Sequence, residues 1–170
     1  MPYALAVAVI EDADVAGSLA EMGLRAGAGW PHADTADALR PAAEHGSPGV
    51  DAGWLIVEPG PDGPAVVGDC GWRGGPDAEG TVEIGYGLAA PARGRGLGTE
   101  AVGLLTAWAE QQPGVRAVVA EVLVGNEASR RLLLRLGFTE EPAAPPYVRC
   151  VRLAPGTSPE PRRIAGRHVC

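Results

Sequence analysis

From Arg93 to Glu100 the chain reads Arg-Gly-Arg-Gly-Leu-Gly-Thr-Glu, with glycine at 94, 96 and 98. Three glycines in five residues let the backbone approach a ligand closely. The run that follows, Thr99–Gln112, has a helical pattern. Its first N–H groups lack acceptors within the helix, and the positive end of the helix dipole opens onto the loop. Arg93 and Arg95 add guanidinium groups suited to bidentate anion contact. The ligand such a loop suits is a pyrophosphate. A P-loop would need a lysine after its last glycine, and all 14 basic residues of this chain are arginine. A dinucleotide fingerprint would need Gly-x-Gly-x-x-Gly at the start of a βαβ unit and an acidic residue about 20 positions later. The spacing Gly94, Gly96, Gly98, late in the chain, fits neither.

Two carboxylates could serve as a base. Glu83 shares a strand face with Gly85 and Gly87, whose missing side chains leave room beside it for a substrate. Glu121 is the one charge in Ala117–Val124, and a carboxylate in a buried strand is costly unless partnered or close to a cleft. Each also has a plain structural reading, Glu83 as a paired or solvent-facing strand residue and Glu121 as a salt-bridged one.

The elements that must position these residues follow from pattern and breakers. A strand is expected over Tyr3–Ile10 and a helix over Val15–Ala26, opened by the acidic run Glu11–Asp14. A second helix, capped by Asp34, is expected to about Glu44. Gly53–Glu58 and Ala65–Trp72 read as a hairpin, and Thr81–Leu88 as the next strand. The helix after the glycine loop carries Ala101, Leu104, Leu105 and Trp108 on one face. Arg116–Val124 is almost continuously apolar, as in a buried central strand. Asn126–Leu136 reads as a short helix stopped by Gly137, and Phe138–Glu140 pairs with Tyr147–Leu153. Residues 1–154 are expected to form one domain and 155–170 a flexible tail, where no apolar period survives.

The order β-α-α-β-β-β-α-β-α-β-β and three motifs resemble the GNAT family of N-acetyltransferases. The motifs are Arg93-Gly94-Arg95-Gly96-Leu97-Gly98, Glu83-Ile84-Gly85-Tyr86, and Asn126-Glu127-Ala128-Ser129 before Leu136-Gly137-Phe138. The last two are similar to the ribosomal-protein-acetylating, RimJ/RimL-type branch. The resemblance implies an α/β fold, a mixed sheet whose fourth and fifth strands splay apart, and acetyl-CoA as co-substrate without a metal. It implies that Arg93, Gly94, Arg95, Gly96, Leu97, Gly98 and Thr99 hold the pyrophosphate. Tyr86, Gly87 and Leu88 would offer backbone groups to the pantetheine arm, which Asn126 would also contact. A base glutamate at the position of Glu121 is also implied. Many members carry a tyrosine where this chain has Leu133, and Ser129 would meet the CoA sulfur instead; Ser129 can equally bond its own helix backbone. Substrate contacts would come from Trp30, His32 and Trp72, with Asp34 and Asp77, since aromatics beside carboxylates suit a cationic amine. Trp30 and Trp72 also read as packing residues. The acceptor would be a protein N-terminus or a small amine, and a homodimer is the family's expectation.

Composition narrows the classes further. A net charge of −7 argues against a nucleic-acid surface. No apolar run approaches membrane-spanning length and no cleavable signal is evident, so a cytoplasmic protein is expected. Cys70, Cys150 and Cys170 suggest neither a zinc site nor a disulfide framework. A covalent acyl-enzyme route lacks a cysteine–histidine pairing, which leaves direct transfer to a primary amine. The alternative is a non-catalytic acyl-CoA-binding module, which the leucine at 133 would favour.

Overall fold

The computed structural model describes residues 8, 9, 11, 13–32, 35 and 53–157. Ala8 and Val9 have helical backbone, not the expected strand, and the Ala13 N–H donates to the Ala8 carbonyl at 2.9 Å. The alanines of that run favour helix as readily as its valines favour strand. The rest of that expected strand, the expected second helix apart from Thr35, and residues 158–170 lie outside the described residues.

Helix α1, Val15–Glu21, begins where the Asp14 carboxylate accepts the Gly17 N–H at 2.7 Å. It ends well short of the expected Ala26. Gly23, at φ 69°, turns the chain left-handed, so that the Leu24 N–H reaches the Leu19 carbonyl and the Gly23 N–H that of Ala20. Leu19 and Leu24 share one core cluster, which completes the stop, and Arg25–Ala26 continues as strand β1.

Among the described residues six further strands join β1 in a mixed sheet: β2 Gly53–Glu58, β3 Ala65–Arg73, β4 Thr81–Leu88, β5 Ala117–Leu123, β6 Thr139–Pro142 and β7 Tyr147–Leu153. The order is β1-β3-β4-β5-β7-β6, with β2 also paired to β3. The β1–β3 and β4–β5 pairs are parallel and the others antiparallel. The β2–β3 register passes over Val67, a bulge that lets Val66 and Asp69 both face the N-terminal segment. Val66 packs there with Leu19, Trp30 and Ala89.

Helices α2, Leu97–Ala109, and α3, Glu127–Arg135, cover the other face. Their Val102, Leu105, Ala109 and Leu133 pack on Val82 and Ile84 of β4 and Val118, Ala120 and Val122 of β5. Full burial of the valine, leucine and isoleucine side chains among them contributes roughly 1.5–3 kcal/mol each. Helix α3 ends as α1 does: Gly137 has φ 83°, and the Phe138 N–H bonds the Leu133 carbonyl at 3.1 Å. Cys70 and Cys150 are free thiols packed in this core, and burial pushes the Cys70 thiol up to about 11.

β4 and β5 pair only over Thr81–Glu83 and Ala117–Val119. Beyond that point β4 stays on β3 through Leu88 and β5 stays on β7 through Leu123. Each strand follows its outer neighbour along the sheet twist, and a wedge opens between them.

Candidate active site

The free edge of β4 lines this wedge. The Ala89 N–H donates to the Val67 carbonyl at 2.9 Å, which fixes the alternation of the β3–β4 ladder. Main-chain groups of Glu83, Gly85 and Gly87 turn toward β3, and those of Ile84, Tyr86 and Leu88 turn toward the edge that β5 has left. That edge can take an extended ligand arm as an added strand.

The glycine loop follows a 3-10 turn, Ala90–Ala92. Gly94 and Gly96 have φ 75° and 88°, and Gly96 is the N-cap of α2. The N–H groups of Leu97, Gly98 and Thr99 have no acceptor inside the helix and point into the loop. The two arginines are engaged within the fold. Arg93 Nε donates to the Leu88 carbonyl at 2.9 Å, tying the loop to the end of β4. Arg95 forks onto Glu58 of β2, at 2.6 and 2.9 Å. The Arg95 fork expected to face an anion is thus already held by a carboxylate.

Across the wedge, Asn126 caps α3, its side-chain oxygen accepting the Ser129 N–H at 3.2 Å. Ser129 Oγ stands 2.6 Å from the Tyr86 hydroxyl, so one hydroxyl pair spans the gap from β4 to α3. Burial pushes the Tyr86 hydroxyl up to about 12, against the opposing pull of the Ser129 hydrogen bond. Arg130 fixes the turn that carries Ser129. It forks onto Glu140 of β6 at 2.8 and 2.9 Å and reaches Glu127 at 2.6 Å. Leu133, at the position expected to lack a proton donor, is fully buried in the core.

The opposite face of the sheet carries the candidate bases, Glu83 on β4 and Glu121 on β5. Glu83 sits at the last paired position, half-exposed, 3.6 Å from Arg73 on β3. Glu121 is exposed, contrary to the buried setting expected for it. Ala117–Ala120 is covered on both faces, but from Glu121 onward alternate residues of β5 are open. Glu121 stands opposite Arg149 of β7, with Glu141 of β6 next in the row.

Trp30 and His32 converge on Asp69, which sequence reasoning missed. Trp30 Nε1 and Thr35 Oγ1 both donate to Asp69 Oδ2, at 2.8 and 2.9 Å, and His32 Nε2 lies 3.6 Å from the same oxygen. Asp69 is a lone charge in the apolar run Ala65–Trp72, the same signal that singled out Glu121. Trp72 does not join this group. Alternation along β3 puts it on the other face, edge-on to Trp108 at 4.8 Å, with Trp54 edge-on to the same ring at 4.6 Å. An apolar groove of about 390 Å³ lies beside these rings, between β2 and α2, away from the wedge. Asp77 caps a turn, accepting the N–H groups of Glu79 and Thr81; Asp34 lies outside the described residues. Among the described residues no cluster could hold a metal ion, and no helix is long and apolar enough to cross a membrane.

A model of the acetyltransferase (GNAT) domain matches residues 5–139. The uncharacterized N-acetyltransferase YjdG of Bacillus subtilis (strain 168) is 31% identical over 126 residues, 71% of this chain and 73% of that protein. The chain belongs to the GNAT family and is an N-acetyltransferase of that family, whose members use acetyl-CoA and act on amines. Solved structures share the fold. The ribosomal-protein-S5-alanine acetyltransferase of Vibrio fischeri aligns with a TM-score of 0.63 at 15% identity, over 94% of this chain and 93% of its own. An acetyltransferase of Agrobacterium tumefaciens aligns at 0.54 and 24% identity, over 70% of each chain.

Proposed function

We propose that this enzyme moves the acetyl group of acetyl-CoA directly to a primary amine, either a protein N-terminus or a small amine, in the cytoplasm. We place it in the RimJ/RimL-type branch, on the Glu83-Ile84-Gly85-Tyr86 and Asn126-x-x-Ser129 motifs. The near full-length likeness to a ribosomal-protein-alanine acetyltransferase supports that placement. One observation carries the reading: the free edge of β4 runs from the wedge directly into a loop whose helix N–H groups are open.

In this reading the N–H groups of Leu97, Gly98 and Thr99 bind the pyrophosphate, with Gly94 and Gly96 keeping the approach clear. Arg93 holds the loop in place, and Arg95 meets the anion by leaving or sharing Glu58. Tyr86 and Leu88 bond the pantetheine arm through their main chains, and a wedge N–H polarises the thioester carbonyl. Asn126 shapes the turn that presents Ser129. The Ser129–Tyr86 hydroxyl pair delivers a proton toward the departing sulfur, the task that Leu133 cannot perform. The amine approaches from the face that carries Glu83, Glu121, Trp30 and His32, where its proton is removed.

The test is a thermal melt with CoA, acetyl-CoA, NAD and ATP, for wild type and Gly96→Glu. Ligand at about 100 times its Kd adds about 2.7 kcal/mol, a plainly visible shift. Stabilisation by the CoA species alone, lost in Gly96→Glu, is expected. No shift with CoA, or an equal shift with NAD, would refute the assignment of the loop.

A further inference from the structure

We propose that His32 is the base that removes the proton from the amine, with Asp69 as the residue that positions its ring. The inference rests on the transferase reading and names the group that acts on its substrate. Its first support is location. A Cβ placed on Gly87 would fall 2.3 Å from His32 Cε1 and 2.4 Å from Nε2, so the imidazole occupies the space a side chain at 87 would fill. Gly87 lies between Tyr86 and Leu88, whose main-chain groups line the wedge, so the ring stands beside the strand segment that the proposed function gives to the pantetheine arm. Glu83 lies four residues away along the strand, about 13 Å at the usual rise per residue. It stands where β4 and β5 still pair and is engaged by Arg73.

The second support is the state of the ring. His32 Nε2 is buried without a hydrogen-bond partner, 3.6 Å from Asp69 Oδ2. That oxygen already accepts two hydrogen bonds, from Trp30 and Thr35, so Asp69 is held in place without the histidine. A histidine with a purely structural task would close this gap, because a buried unsatisfied polar atom costs about 1–3 kcal/mol. A catalytic one tightens onto its carboxylate when it takes up a proton, and such contacts are often long before the substrate binds. The buried carboxylate favours an N–H at Nε2, which leaves the lone pair on Nδ1, 3.4 Å from the Cβ point above Gly87. Among the described residues, the groups around the ring are Asp69 from β3, Trp30 and Thr35 from the N-terminal segment, and Gly87 from β4.

The chemistry balances. Nδ1 takes one proton from the ammonium, and the neutral nitrogen attacks the thioester carbon. The C–N bond forms and the C–S bond breaks; the second nitrogen-bound proton ends on the CoA thiol, and His32 returns its own to water.

The experiment uses the full chain, acetyl-CoA, and three acceptors: an alanyl peptide, a polyamine and an aminoglycoside. His32→Gln is expected to bind acetyl-CoA within about twofold of wild type, to lose about 10²-fold or more in kcat, and to lose the acidic limb of the rate–pH profile. Added imidazole restores turnover to His32→Ala. Gly87→Ala, whose methyl displaces the ring, reproduces the loss with His32 still present. Turnover of His32→Gln within about threefold of wild type, or an unchanged acidic limb, overturns the proposal while leaving the transferase reading intact. If His32→Gln no longer binds acetyl-CoA, Gly87→Ala decides, and wild-type turnover there overturns it. If wild type acetylates none of the three, the transferase reading fails and takes this inference with it.

Discussion

If Arg95 meets the pyrophosphate as proposed, Glu58 competes with the cofactor for it, and removing that charge should tighten acetyl-CoA binding. The carboxylate holds the guanidinium fork at 2.6 and 2.9 Å, with the two side chains 46% and 31% exposed. An exposed pair of this kind contributes about 0.2–1 kcal/mol. A pyrophosphate in the loop must break or share it. Glu58→Gln therefore lowers the acetyl-CoA Kd by about 1.4- to 5-fold, the same energy expressed as affinity. The gain shrinks as added salt screens the charges. Calorimetric titration of wild type, Glu58→Gln, Arg95→Gln and the double variant isolates the coupling, because the gain must vanish once Arg95 is absent. Weaker binding by Glu58→Gln rules out this competition. An equal gain with and without Arg95 shows that Arg95 is not the group released.

Tyr86 and Arg130 give two pH-dependent predictions. The Tyr86 hydroxyl is raised to about 12, so its contribution to stability is full below the ordinary tyrosine value near 10 and is lost as pH climbs toward 12. An absorbance titration should show one of the three tyrosines ionising late, and Tyr86→Phe should lack that late step. The Arg130 hydrogen bonds hold the Glu140 carboxyl below its ordinary value. That contribution is present above the ordinary carboxylate range and lost as pH falls through the lowered value. Urea midpoints of wild type and Arg130→Gln should therefore differ at neutral pH and converge in acid; a constant difference refutes the assignment.

The local geometry of the glycine loop and of the Asn126 turn was legible in the sequence, because neighbouring residues build it. Positive-φ glycines, a helix start and an asparagine cap act within a few residues of one another, and the order of strands and helices follows from breakers. The stop at Gly23 was equally local: a glycine followed by a leucine that could pack on Leu19 marks a helix end, and the apolar pattern through Ala26 obscured it. The cluster around Asp69 was legible only in fragments. His32 and Trp30 were visible as residues, but their meeting with Asp69 depends on a bulge at Val67 and on chain nearly forty residues away. No periodicity encodes that contact. Strand alternation along β3 would have assigned Trp72 to the face opposite Asp69, so its separation from His32 was recoverable. The Arg95–Glu58 pair was not, because two exposed charges on distant elements carry no signal in sequence.

The most direct test of the central claim is amine-dependent release of thiol from acetyl-CoA by the full chain, measured beside Gly96→Glu. Thiol release is expected to require both acetyl-CoA and a primary amine, to be matched by acetylated amine, and to be abolished by the substitution. Release that ignores the amine, or that survives in Gly96→Glu at wild-type affinity for acetyl-CoA, would contradict that claim.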